Sequence, residues 1–519
     1  MIAVYYSVLN APTALKSRLS QNHLALLVNE KLALKHGLDK VFEPLIEDIL
    51  FLESTGIVVH GETLKGSVLF LTGDNLSCHR IGGFKCSFSH GRICRYCLAL
   101  RHEISVKHSA TDFIRRTPEG HMYHLRMKIN GVSTLSLYGV KEACPLTFTG
   151  FQPTEHLPPD VMHGIHEARF RRGNFAQQLD GVLPFVLRHV LCSLITSGVV
   201  SLSDLNAAVL EHSYAPCDRK NKPEIISMDY IRGKANMKGN ASQIFCFFRH
   251  LALYVGGCVP CEHDVWKLYL LLRGIVDAVM SKRLPLDYVC ILRQKIESFC
   301  REFQTLFPAR AVPCKMHYLV HYPDYILKYG PLVNIWAMRY EAKHQYFKNI
   351  TRTIHNFKNI TGSLSRRHQL LQMYVFACEN AGLQLDTTGC KRVLYEHLPV
   401  HVQDHVTTHN LGREELFTLK TVTLNNAIYA KSCVLITAVP RDELPQFTEI
   451  VESFSVNRNI VLLNQRLETV QFDSHFHVYV VKYTSEFSTM TELTSISPDL
   501  LTVEKNGGRH VINPRHGLL

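Results

Sequence analysis

The 519-residue sequence has no apolar run able to cross a bilayer. Its longest, Ile244 to Pro260, is broken by Arg249 and His250, and a spanning helix needs about 20 apolar residues. The opening MIAVYYSVLNAP lacks the basic start, the apolar segment and the small-residue cleavage site of a secretory signal. No Walker-type phosphate loop, GxSxG elbow or HExxH helix occurs, so the usual signatures of P-loop NTPases, α/β-hydrolases and zincins are missing. Internal repeats, low-complexity stretches, coiled-coil heptads and a clear Lys/Arg-rich targeting run are also lacking. The 16 cysteines are scattered, mostly single in apolar segments (Cys192, Cys246, Cys290, Cys300, Cys378), which reads as reduced core residues and not as a disulfide framework. Together these absences predict a globular intracellular protein with no membrane partner.

What is present fits that class. Hydrophobic residues make up 46% and charged residues 20%, enough to bury one large core or several ordinary ones. The net charge of +12 is unevenly spread. Residues 301–370 carry 11 Lys/Arg against three Asp/Glu, whereas 391–519 carry 12 against 14. One basic region can collect a polyanion, and nucleic acid is the usual one. The cations are Arg339, Lys343, Lys348, Arg352, Lys358, Arg366 and Arg367. A solvated basic face without a partner would show the same composition.

Taken in order, Ala3 to Leu9 reads as a buried strand. The apolar periodic stretch from Ser20, LALLVNEKLALKHGL, reads as a helix stopped at Gly37, and Val41 to Glu53 reads as a second helix. Ser67 to Leu71 reads as a strand ending at Gly73-Asp74-Asn75. Strand, helices, strand predicts one right-handed crossover with an acid at its mouth, where α/β folds place chemistry. Loops rich in Gly, Ser, His and Cys follow to about Thr154. Helices are expected over Phe175–Ser197, Ser203–His212, Ala241–Val255, Asp264–Lys282, Leu286–Phe307, Lys315–Lys328, Asn334–Ile350 and Leu364–Asn380. Beyond Leu383, short strands with turns predict a small all-β domain.

Cys94-x2-Cys97 has metal-ligand spacing, and His121-x2-His124 follows it. Two thiolates and two imidazoles can close a tetrahedral Zn²⁺ shell in a loop-rich segment too poor in apolar residues to make its own core. Cys86, Cys144 and His163 are reserve ligands. Cys258-x2-Cys261 lacks a second pair nearby. His317-x3-His321 places two imidazoles on one helical face, yet among 29 histidines such a pair is expected by chance. Asp160 and His163 stand one turn apart behind Pro158-Pro159, where an Asp is ordinary helix capping. Glu341 lies beside an apolar stripe of Trp336, Tyr340, His344 and Phe347 and is flanked by Arg339, Lys343 and Lys348. It suits a metal-binding carboxylate or a plain surface ion pair.

The blocks LTGDNLSCHRIGGFKCSFSHGRICRYC, LPPDVMHGIHEARF and PCKMHYLVHYPDYILKYGPLVNIWAMRYEAKHQYFKNITRTIHNFKNITGSLSRRHQL resemble transposases of the CACTA (En/Spm) superfamily. The resemblance spans about residues 1–380. It implies an RNase H-like core with an Asp-Asp-Glu triad holding two Mg²⁺ or Mn²⁺ ions for phosphodiester cleavage and strand transfer. On it, Asp74 matches the second Asp and Glu341 the Glu. Asp160 and His163 match a D-x2-H signature, and Cys94/Cys97 match a cysteine pair. The first Asp belongs on a strand before Ala3, and none of Met1–Asn10 is acidic, so the triad is expected to be incomplete and most activity lost. Gly164 stands where the family has an acid.

The expected fold is therefore mixed α+β / α/β. An incomplete RNase H-like core begins in residues 1–75 and is interrupted by an insertion over 76–310 (Cys/His-rich to 160, helical after). A helical return over 311–382 carries Glu341, and a β domain occupies 383–519. The expected function is transposase-like and acts on DNA in the nucleus, with structural Zn²⁺ and a possible homo-oligomer. The alternative is a domesticated, non-catalytic module that binds nucleic acid or protein.

Overall fold

The computed structural model describes every residue except 12–17, 167–180, 355–356, 379–384, 425–426, 442, 492–499 and 519. The chain is a mixture of helix and sheet and divides into two compact units, each built from two stretches of sequence. Unit 1 is Met1–Val182 with Val289–Ala381, and unit 2 is Leu183–Tyr288 with Gly382–Leu519. Residues 76–310, expected as a single insertion, are thus shared between the two.

Unit 1 opens with an antiparallel hairpin in place of a crossover. Strand β1 (Ile2–Tyr6) pairs with β2 (His23–Val28) in a register running from Ile2↔Val28 to Tyr6↔His23. The expected helix from Ser20 is corrected here. HLALLV is extended because β1 supplies a ladder, and the helix starts only at Glu30, where the Asn29 side chain accepts from the Lys31 amide. Leu38–Ser54 is a helix whose buried side is Phe42, Ile46 and Ile49. A short hairpin follows, β3 (Ile57–Val59) with β4 (Glu62–Leu64).

The expected strand Ser67–Leu71 is also corrected. This stretch has no ladder among the described residues, and the Leu71 amide bonds to His156 O instead. Val68 and Leu71 nevertheless pack on the core of Phe42, Phe84, Phe151 and Leu157, shared with Val4 and Leu26. Later in the unit, the helix expected over Lys315–Lys328 is two helices, Cys314–Tyr318 and Tyr322–Tyr329, joined by a 3₁₀ turn. Pro323 in the first turn of the second has no amide to continue the first. The helix carrying Glu341 runs over Met338–Thr353, and Ile360–Cys378 is the last helix of the unit. Tyr340, His344 and Phe347 face the first hairpin. Tyr5 Oη lies 3.3 Å from His344 Nδ1, Ser7 Oγ lies 2.7 Å from Tyr340 Oη, and Phe347 closes a core with Leu24 and Leu364.

Unit 2 joins a layer of buried helices to antiparallel sheets. Helix Ala241–Val255 starts with a capping box between Asn240 and Gln243, and Asp264–Met280 runs nearby through the same unit. Its strands are β5 (Leu385–Thr388), β6 (Lys391–Arg392), β7 (Leu416–Leu419), β8 (Thr421–Leu424), β9 (Ala427–Ala430), β10 (Val434–Ala438), β11 (Gln446–Val456), β12 (Asn459–Asp473), β13 (Val478–Met490), β14 (Val503–Asn506) and β15 (Arg509–Ile512). The larger sheet has the order β14-β15-β13-β12-β11-β7-β6 with β10 also on β11, and β5-β8-β9 forms a smaller one. The turn at Gly507-Gly508 has φ of 54° and 78°, the left-handed backbone a tight hairpin requires. Arg249, which interrupts the longest apolar run, is buried and bonds Asp218 at 2.6 Å. No helix among the described residues is long and apolar enough to cross a membrane.

Candidate metal centre and carboxylate site

The CRYC stretch makes a tight knuckle. The Tyr96 amide donates to Cys94 Sγ at 3.3 Å, the Ile93 amide to Ala99 O, and the buried Arg116 guanidinium braces Cys94 O at 3.0 Å. Both sulfurs then face a pair of imidazoles from the far stretch of unit 1. Cys94, Cys97, His317 and His321 are all buried and bring their ligand atoms within 4.8 Å of one another. Cys97 Sγ is 3.3 Å from His317 Nε2, and His321 Nε2 is buried with no hydrogen-bond partner. Zn²⁺ ligands at about 2.0–2.3 Å in a tetrahedron lie roughly 3.3–3.8 Å apart, so the donor set and spacing fit that ion.

The electrostatics agree. Burial alone would raise the Cys94 thiol, but Cys97 and the imidazoles of His321 and His317 outweigh it and hold it well below the ordinary value. Burial, with Cys94 beside it, pushes Cys97 up. A divalent cation would let both sulfurs be thiolates.

His121 and His124, expected to complete the shell, are not in this cluster. His121 packs against Phe84, with ring centroids 5.2 Å apart, and burial and Arg116 push it down to about 4. His124 stacks on Tyr138 at 3.8 Å. The residues that take their place were visible in the sequence as His317-x3-His321.

The second constellation brings together the three blocks that carry the family resemblance. Fully buried Arg95 donates from Nη1 to Asn75 Oδ1 at 2.9 Å, from Nε to Leu157 O and from Nη2 to Pro158 O. It thereby ties the Asp74-Asn75 turn to the segment leading into Asp160. Asp160 is buried. Its Oδ1 accepts from the Ala337 amide and its Oδ2 from the His163 amide and from His163 Nδ1 at 2.7 Å. His163 Nε2 in turn lies 2.8 Å from Glu341 Oε1. Asp160–His163–Glu341 is a continuous chain of carboxylate, imidazole and carboxylate. With a carboxylate on each ring nitrogen, only the doubly protonated imidazolium donates to both. His163 sits in a π-helical turn, Met162–His166, of the kind often found at functional sites.

Asp74 caps the helix Asn75–Ile81, its Oδ1 accepting from the Ser77 amide at 2.6 Å. The buried Cys78 thiol is pushed up to about 11 by its burial, with the charges of Asp74 and Asp160 adding to the effect. Among the described residues, however, no group of three or more metal-ligating side chains includes Asp74 or Glu341. Of the basic candidates, Lys343 is already engaged, donating to Leu19 O at 3.0 Å and Gln372 Oε1 at 3.3 Å. Arg339, Lys348, Arg352, Lys358, Arg366 and Arg367 are exposed. Comparison with known protein families and with curated proteins gives no match, so the functional reading rests on these residues.

Proposed function

We propose that this chain is a transposase-derived, nucleic-acid-binding protein whose carboxylate site no longer assembles a two-metal cleavage centre. The observation that carries it is the Asp160–His163–Glu341 chain. It joins two of the three resemblance blocks, with Arg95 adding the third, while an imidazole engages the Glu341 carboxylate that would otherwise hold an ion. The Cys94/Cys97/His317/His321 cluster is assigned to a structural Zn²⁺ that fixes the knuckle against the return segment of unit 1. The exposed cations from Arg339 to Arg367 are assigned to phosphate contacts, which give salt-dependent and weakly sequence-selective binding.

Fluorescence anisotropy with duplex DNA at graded salt, alongside a Mn²⁺ cleavage assay, tests the reading. Binding is expected to weaken at least tenfold in the Lys348→Glu/Arg352→Glu/Arg366→Glu/Arg367→Glu variant, without cleavage by any form. Absence of DNA binding at low salt would sink it. Cleavage abolished by Asp74→Ala and by Glu341→Ala would replace it with an active nuclease.

A further inference from the structure

Unit 2 holds a second convergence of metal-type donors, unrelated to the resemblance blocks. His212 follows directly on helix Leu202–Glu211 as its cap, His250 lies in helix Ala241–Val255, and Glu504 lies in strand β14. Their ligand atoms fall within 4.8 Å of one another. His212 Nε2 is 3.2 Å from Glu504 Oε2, and His250 Nε2 is 3.6 Å from Glu504 Oε1. Ligands about 2.0–2.2 Å from one tetrahedral ion lie roughly 3.3–3.6 Å apart, and the two imidazoles stand at comparable distances from the two oxygens of the carboxylate.

Buried polar atoms at this convergence point to a cation there. His250 is fully buried, and its Nδ1 bonds the Cys246 carbonyl at 2.8 Å. That bond places a proton on Nδ1, because a carbonyl can only accept, and turns Nε2 toward the Glu504 carboxylate. Nearby, His212 Nε2 and Glu504 Oε2 are both buried without an aligned hydrogen-bond partner despite their closeness, and the Glu504 side chain is only 9% exposed. The buried Arg249 guanidinium stands 3.5 Å from His250 Nε2 and makes its shorter bond to Asp218, at 2.6 Å. Orphaned buried polar atoms are costly, and an ion bonded to His212 Nε2 and Glu504 Oε2 removes that cost.

We infer that His212, His250 and Glu504 form a binding site for a first-row divalent ion of the zinc type, joining two helices of unit 2 to the edge strand β14. Two imidazoles and one carboxylate suit Zn²⁺, Co²⁺ or Fe²⁺ better than Mg²⁺ or Ca²⁺, which take oxygen ligands. Tyr214 and Tyr254, hydrogen-bonded to each other at 2.8 Å, wall the site with rings 4.8 Å and 5.4 Å from His212.

The test is Co²⁺ loading of the full chain bearing Cys94→Ser and Cys97→Ser, which removes the thiolate cluster. One Co²⁺ per chain with visible d–d absorption but no thiolate charge-transfer band is expected. Occupancy should fall at least tenfold on adding Glu504→Gln or His250→Gln. No Co²⁺ uptake by a folded double variant, or uptake unchanged by Glu504→Gln, overturns the assignment. Should the Cys variant fail to fold, the metal content of the wild-type chain decides. Two zinc ions per chain, falling to one in Glu504→Gln, support the site, and any other stoichiometry refutes it.

Discussion

At the scale of single residues, Gly164 shows how closely the turn after Asp160 is packed. A Cβ at this position would overlap the Tyr322 hydroxyl while staying 3.7 Å from its Cζ. That hydroxyl is buried without a hydrogen-bond partner. Gly164→Ala should therefore destabilise the protein by about 1–3 kcal/mol through overpacking, and Tyr322→Phe should restore most of that loss. Tyr322→Phe alone should be neutral or mildly stabilising, since it removes an unsatisfied buried group. Urea denaturation of the three variants checks the cycle, and equal losses with and without Tyr322→Phe would contradict it. In the sequence Gly164 was legible only as a departure from an acidic position. Its steric partner lies too far along the chain for local pattern to reveal. The metal cluster was half legible for the same reason. Cys94-x2-Cys97 announces itself by spacing, but nearness in sequence favoured His121 and His124, and the imidazoles that face the sulfurs come from a distant stretch, His317 standing 220 residues from Cys97.

At the scale of elements, Asp160 anchors the helix that bears Glu341. It accepts from the Ala337 amide just ahead of that helix and from both the backbone and the ring of His163. Asp160→Ala should cost about 3–5 kcal/mol, the range for breaking a buried ion pair. Glu341, with its side chain 55% exposed, should cost no more than about 1 kcal/mol on Glu341→Ala. Equal losses by chemical denaturation would refute this asymmetry. Helices such as Ala241–Val255 and Asp264–Met280 follow their sequence periodicity closely, because amphipathic stripes and caps are local, whereas the stretch from Lys315 to Lys328 is split at Pro323. The extended segments do not follow theirs. HLALLV has an apolar content that suits a helix or a strand, and only its partner β1 decides. Ser67–Leu71 has strand composition, but a strand also needs a neighbour to bond.

At the scale of the whole molecule, the two units should differ in acid tolerance. In unit 1, burial lowers the His121, His166 and His368 pKa values to about 4. Unfolded, each takes up its proton near 6.5, so stability is full above that value and falls as pH drops toward 4, by up to about 1.4 kcal/mol per pH unit for each. In unit 2, burial would raise Asp218 and Asp277, but Arg249 and Arg273 hold both below the usual carboxylate value. That contribution is full above about pH 4 and is lost only below it. Hydrogen exchange followed by mass spectrometry should show amides of residues 1–166 opening at about pH 5, before those of β11–β13. The reverse order would contradict the assignment. Replacing Cys94 by Ser should remove one zinc per chain and cost unit 1 more than about 2 kcal/mol, measurable as metal content and thermal midpoint. Unchanged values would rule out a structural ion there.

The separation of the two halves of that cluster also has a consequence for biosynthesis. Cys94 and Cys97 leave the ribosome long before His317 and His321, with the first stretch of unit 2, Leu183–Tyr288, translated in between. At about 5–20 residues per second, 220 residues take roughly 10–45 s. For that interval the nascent chain presents two thiols with no imidazole partners, and unit 1 cannot close. On the proposed zinc assignment, delivery of the ion is a late event in translation, and a chain stalled before residue 317 should be open to thiol-specific labelling at both cysteines.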